Sequence, residues 1–239
     1  MSRRGTLLAG WALALGAIAL FCTLGLWQAG RRQEKQAMLE AVQRVLEARR
    51  AQPLAVAADP ARVRGYDWAA GVGRFAPGPA VLLDNQQRGG RVGVRAYRVF
   101  VPTDGTTPLL VELGWLPLPG DRTLPAVPTP QGPWRLEGLV LPPPSAGLVR
   151  AEATRRSGDA LLAVALDPLQ LAAPLGQRAL APRVLRPDPD LPLGYARDLD
   201  VLPNTLPPER HLGYALQWFA LAAATLIVAL VLTFRGRKP

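Results

Sequence analysis

The sequence predicts a membrane protein with two transmembrane α-helices flanking one extramembrane domain that is mostly antiparallel β with some helix. Three observations predict it. A charge-free apolar run fills residues 7–28, a second fills 211–234, and the residues between break into short apolar runs separated by turn formers. A helix needs about 20 apolar residues to cross the hydrocarbon core of a bilayer, and both runs reach that length.

Between Arg4 and Arg31 the chain carries no charge. The apolar region of a cleaved signal peptide is shorter, about 7 to 15 residues, and ends in a small-residue cleavage site. This run is too long for one. The second run includes Trp218-Phe219-Ala220-Leu221 and Leu226-Ile227-Val228-Ala229-Leu230. No Asp, Lys or Arg opposes its insertion with the usual penalty of about 2.5–3.5 kcal/mol. Two spans place residues 1–6 and 235–239 on one side and the large loop on the other. The second span decides which side: Arg235, Arg237 and Lys238 follow it and only Arg210 closely precedes it. The positive-inside rule then puts both termini in the cytoplasm and the loop in the periplasm of a bacterial inner membrane. Small residues four apart, Gly10 with Ala14, Ala12 with Gly16 and Ala220 with Ala224, suit close helix approach, and Gln217 is a candidate for an interhelical hydrogen bond.

After the first span, Met38, Leu39, Val42, Val45 and Leu46 recur at helical spacing, so residues 29–52 read as an amphipathic extension that ends before Pro53. The domain at 53–210 follows. Apolar runs at 80–84, 97–101, 109–116, 134–141 and 161–166 read as strands. Asp104-Gly105 marks a hairpin turn. Asp167-Pro168 reads as an N-cap and first helical residue, predicting a short helix over 169–175.

A net charge of +10 and a pI near 11.0 raise the possibility of a nucleic-acid partner. Most arginines are scattered singly through apolar and Pro-rich sequence, with local groups only at Arg31-Arg32, Arg49-Arg50, Arg155-Arg156 and Arg235-Gly236-Arg237-Lys238, so no phosphate-tracking stripe is expected. Membrane lipid is the better electrostatic partner. Cys22 is the only cysteine, which excludes an internal disulfide and multi-cysteine zinc sites. Three serines, Ser2, Ser145 and Ser157, and one histidine leave no catalytic set, and no enzyme activity is expected. Gly71-Val72-Gly73-Arg74-Phe75-Ala76 has the letters of a dinucleotide loop, but Pro77-Gly78-Pro79 forbids the helix such a loop must open. A closely packed strand is expected instead.

His211, the lone imidazole, stands where the chain enters the second span. Helical geometry groups it with Tyr214, Ala215 and Trp218 on one face, a possible iron ligand with aromatic walls and a small residue between. The other reading is an interfacial histidine beside an ordinary aromatic belt. Trp27-Gln28 and Trp115 carry the same two readings.

Four segments taken in order resemble the Surfeit locus protein 1 family of cytochrome c oxidase assembly factors. They are Gly25-Leu26-Trp27-Gln28-Ala29-Gly30-Arg31-Arg32; Gly73-Arg74-Phe75 with Val81-Leu82-Leu83-Asp84-Asn85; Leu110-Val111-Glu112-Leu113-Gly114-Trp115-Leu116-Pro117; and Pro208-Glu209-Arg210-His211-Leu212-Gly213-Tyr214-Ala215-Leu216-Gln217-Trp218-Phe219. Two positions depart from the pattern: Arg95 in Gly93-Val94-Arg95, where the family has Gly-Tyr-His or similar, and Glu112-Leu113, where it has Asn-Arg. The resemblance implies a factor that handles haem a, or steadies its receiving site, while the oxidase catalytic subunit is built. His211 is then the implied iron ligand, Tyr214 and Trp218 the walls, and the oxidase catalytic subunit and other assembly factors the partners. A membrane chaperone that clasps the subunit without touching cofactor is the alternative.

Overall fold

The computed structural model describes residues 3–144, 154–201 and 206–235. Most of the basic tail at 235–239, together with Ser2 and Ser145, lies outside the described residues. The chain divides into two compact units, Met1–Glu40 with Thr205–Pro239, and Ala41–Asn204.

The first unit is helical. α1 runs unbroken over Arg3–Ala48 and α3 over Pro208–Arg235. Both are long and apolar enough to cross a membrane. Only 6% and 11% of their most apolar windows are buried, whereas the core helix of a water-soluble domain would hide most of its apolar surface.

The second unit is built on nine strands: β1 (Gln52–Pro53), β2 (Asp67–Phe75), β3 (Ala80–Arg88), β4 (Arg91–Pro102), β5 (Leu109–Pro117), β6 (Pro133–Leu141), β7 (Thr154–Ser157), β8 (Ala160–Ala163) and β9 (Val184–Pro187). The glycine run at 71–73 lies inside β2, a strand as expected. Asp167 caps α2 (Pro168–Leu171), its carboxylate accepting from the Leu169 and Gln170 amides. Asp104 turns β4 back into β5, accepting from the Thr106 amide at 3.1 Å.

The sheet is mixed, which corrects the expectation of mostly antiparallel structure. β1–β2, β3–β8 and β5–β9 pair in parallel. Parallel neighbours need a long crossover, and turn residues between short runs carry no trace of one. β2, β6, β9, β5 and β4 pair in succession, and β4 pairs again with β2 through Gly73–Pro102 and Phe75–Phe100, so these five strands close a ring. Closure leaves these five strands without a free edge, and the sheet ends instead in the short strands β1 and β7, which offer little to template aggregation.

Side chains alternate between two buried clusters. Ala69, Val94, Phe100, Val111, Leu113, Leu136 and Leu185 fill one; Trp68, Tyr97, Val99, Leu110, Leu139 and Val184 fill the other. Strands covered on both faces read as continuous apolar runs rather than alternating ones, which is the pattern at 109–116. Val42, Val45 and Leu46, at the end of α1, pack on the second cluster.

Four polar side chains interrupt that second face. Glu112, 1% exposed, accepts from Arg95 Nη1 at 2.6 Å through Oε1 and from Arg186 Nε at 3.1 Å through Oε2. Tyr97 Oη donates to Glu112 Oε2 at 3.1 Å. Burial, and after it the Glu112 charge, raise the Tyr97 phenol far above its ordinary range, so it stays protonated and keeps donating. Arg186 Nη1 reaches the Asp200 carbonyl, and Asp198 bonds Arg88 at 2.6 Å and lies 3.9 Å from Arg95. Segment 195–201 is thereby strapped over β5. Tyr195 N donates to Leu113 O at 2.7 Å and Trp115 N to Ala196 O at 2.9 Å. Gly114 makes this approach possible: its φ is +120°, and a Cβ there would lie 2.7 Å from Tyr195 O. A second buried pair, Arg183 with Asp67 at 2.6 Å, joins the entry to β9 with the start of β2.

Removing one partner of a buried ion pair strands the other charge, at a cost of about 3–5 kcal/mol. Glu112→Gln leaves two buried guanidinium groups facing a neutral amide. The expected result is a loss of that order in urea unfolding of the detergent-solubilised chain, followed by Trp fluorescence. A loss under about 1 kcal/mol would mean that Arg95 and Arg186 are satisfied without the carboxylate.

Candidate functional site

The site predicted from sequence belongs to the helical unit. On α3 the less exposed positions include His211, Ala215, Trp218, Ala222, Thr225, Ala229 and Thr233, spaced three or four apart. On α1 they include Trp11, Ala14, Ile18, Phe21, Gly25 and Gln28, alternating three and four apart. That spacing keeps one stripe of each helix facing its neighbour, as in a left-handed coiled coil.

The partners run in opposite senses along the two helices, so the pair is antiparallel. Trp11 Nε1 donates to Thr233 Oγ1 at 3.0 Å, Phe21 stacks on Trp218 with ring centres 5.7 Å apart, and Gln28 meets His211. Beyond them Lys35 Nζ donates to the Leu206 carbonyl at 2.5 Å. Gly25 is the point of closest approach, since a methyl group there would lie 2.7 Å from Phe219 Cε1. Apolar side chains gain little from meeting each other rather than lipid tails, so close packing and polar contacts must hold such a pair.

His211 is 7% exposed, and its Nδ1 lies 2.7 Å from Gln28 Oε1. Its Nε2 is buried and has no hydrogen-bond partner among the described residues. Trp218 shares the seam with His211. Tyr214 does not: it is 40% exposed, on the flank of the helix. Ala215, 3% exposed, fills the seam position one turn from His211. The expected face of four is therefore split, because the seam selects positions four and seven residues after His211 rather than three.

Gln217 is exposed, and the interhelical hydrogen bonds are made by Gln28 with His211 and by Trp11 with Thr233 instead. Of the small residues, Ala222 is buried in the seam, whereas Ala220 and Ala224 face outward. Cys22 is half-buried. An apolar groove of about 660 Å³, lined in part by Trp11, Ala14, Thr225 and Thr233, opens at the other end of the pair from His211. Sequence reasoning missed the Gln28–His211 pairing. The available signal was a lone polar side chain near the end of each apolar run.

The two departures from the expected motifs meet in the β unit. Arg95 stands opposite Trp115 on β4, and the strand bulges between there and Glu112 so that the two side chains form their 2.6 Å pair. Leu113, beside Glu112, points to the opposite cluster and is 1% exposed.

A mixed β domain between two helices of membrane-crossing length, with the only histidine buried on the seam of those helices, defines a membrane-associated protein. Its family is the SURF1 family, whose model matches residues 15–223, and the chain belongs to it. Among curated proteins, none matches the chain. The SURF1 family is associated with cytochrome c oxidase assembly, and its members are assembly factors rather than enzymes.

The seam can be tested directly. In a Cys22→Ser background, Trp11→Cys with Thr233→Cys should form an oxidative crosslink within the chain, visible as a mobility change on non-reducing gels. Adding Gly25→Leu should cut the crosslinked fraction severalfold, because the leucine must push Phe219 away. An unchanged yield would refute the close approach at Gly25.

Proposed function

We propose that this chain is a cytochrome c oxidase assembly factor that handles haem a for the catalytic subunit, with Nε2 of His211 as the iron ligand. One observation carries this reading: the only imidazole in the chain is buried with one nitrogen hydrogen-bonded and the other bare. A ligating histidine is held that way, its second nitrogen tied to an oxygen acceptor while the first faces the metal. Haem as cargo brings an iron that takes a nitrogen ligand reversibly. The chain supplies the nitrogen on α3, the oxygen acceptor on α1, and the Trp218 and Phe21 rings about two turns deeper. Tyr214, exposed on the adjoining flank, is the wall that an approaching porphyrin would meet first.

Both helices span the bacterial inner membrane in this reading, with residues 7–28 and 211–234 in lipid, the termini in the cytoplasm and the β domain in the periplasm. The outward-facing apolar side chains of α1 and α3 support insertion, and the basic residues after the second span support the orientation. A cofactor-free chaperone that clasps the catalytic subunit is the second reading. The closed seam beside His211 and the position of the groove at the other end of the helix pair favour it.

Two measurements decide. The chain purified from cells that make haem a should show a haem absorption band, and His211→Ala should lose most of it. A colourless wild type removes the cofactor role and leaves the chaperone role. A reporter enzyme active only in the periplasm, fused after Asp104 in the turn between β4 and β5, should be active; activity of a cytoplasmic reporter there would reverse the topology.

A further inference from the structure

An imidazole that binds iron through Nε2 must carry its proton on Nδ1, and a neutral imidazole left to itself favours the opposite tautomer. The chain must therefore select the state. Which nitrogen is protonated is set by the hydrogen bond that the other groups in the structure offer. Among the described residues the group that bonds His211 is the Gln28 amide, whose Oε1 lies 2.7 Å from Nδ1.

An amide oxygen accepts and never donates. With the proton on Nε2, the Nδ1 lone pair would face the Oε1 lone pair, and a buried N–H donor would be left at Nε2 without a partner. With the proton on Nδ1, one good bond forms and the single unsatisfied atom is the Nε2 acceptor, the less costly kind of orphan. Rotating the amide to present its NH2 group would again leave the orphaned donor. The contact is bracketed by Gly25 against Phe219 on one side and Lys35 bonded to Leu206 O on the other, so α1 cannot easily slide away from α3.

We propose that Gln28 is a positioning residue that holds His211 as the Nδ1–H tautomer, so that α1 determines which nitrogen α3 presents. Its use in iron ligation rests on the haem-handling reading, but the tautomer does not. The same bond makes Nε2 a better donor to a metal, because a proton shared with an acceptor leaves more electron density on the ring.

The single histidine makes the test clean. Full chain labelled with 15N in histidine and solubilised in detergent gives one pair of imidazole signals. At pH about 8 an imidazole of ordinary pKa is neutral. Wild type should then show a protonated Nδ1 and a bare Nε2. Gln28→Glu keeps an oxygen acceptor and should show the same pattern, while Gln28→Leu should move the proton to Nε2. With added hemin as probe, Gln28→Leu should bind on the order of 10- to 100-fold more weakly than wild type. In Gln28→Glu the iron–histidine stretch should rise. A proton on Nε2 in wild type, or a pattern unchanged in Gln28→Leu, overturns the inference. The expected nitrogen pattern in a wild type that binds no hemin upholds it and removes the haem reading alone.

Discussion

The β unit depends on one carboxylate. Glu112 sits in β5 with apolar neighbours on both sides, and a buried charge there is tolerated only because two guanidinium groups and a phenol surround it. Arg95 and Tyr97 come from β4 and Arg186 from β9, so a single side chain ties together three neighbouring strands of the closed ring. The same arginines hold Asp198 and the Asp200 carbonyl, which fixes the strap that leads in sequence toward α3. Such networks can contribute more to a unique arrangement than to net stability. Here the arrangement in question is strand order, since a slipped β5 would bury Glu112 against leucines.

Both departures from the expected motifs take part in that cluster. Without Glu112, Arg95 would face only Asp198, 3.9 Å away, whereas Glu112 without Arg95 would still hold Arg186 at 3.1 Å. Together they neutralise one another across a single pair of strands, with Arg186 and Asp198 completing the balance.

The helical unit follows a different physical rule. Apolar side chains gain little from one another over lipid tails, and the two helices meet through what lies in the seam: a glycine under a phenylalanine ring, a stacked aromatic pair, and polar contacts spaced along its length. His211 is part of that fastening and also carries a buried ring nitrogen with no hydrogen-bond partner among the described residues. A group that both holds two helices together and offers a ligand atom links their packing to the chemistry proposed for the site.

Much of this was legible in the primary structure. Apolar length alone identified α1 and α3, because crossing a bilayer is a condition on consecutive residues. The strands at 80–84, 109–116 and 134–141, the Asp104 turn and the Asp167 cap follow from local steric and hydrogen-bonding preferences. Ring closure, the parallel pairings and the short strands β1, β7 and β9 did not show, because they depend on which distant segments meet. The lone histidine was visible, but its partner was not. Gln28 and His211 lie 183 residues apart in sequence, and only the antiparallel register of two helices brings them within 2.7 Å. Composition and periodicity determined the elements and the candidate ligand. Tertiary packing decided which atoms face one another, since contact between residues far apart in the chain leaves no periodic mark in either segment.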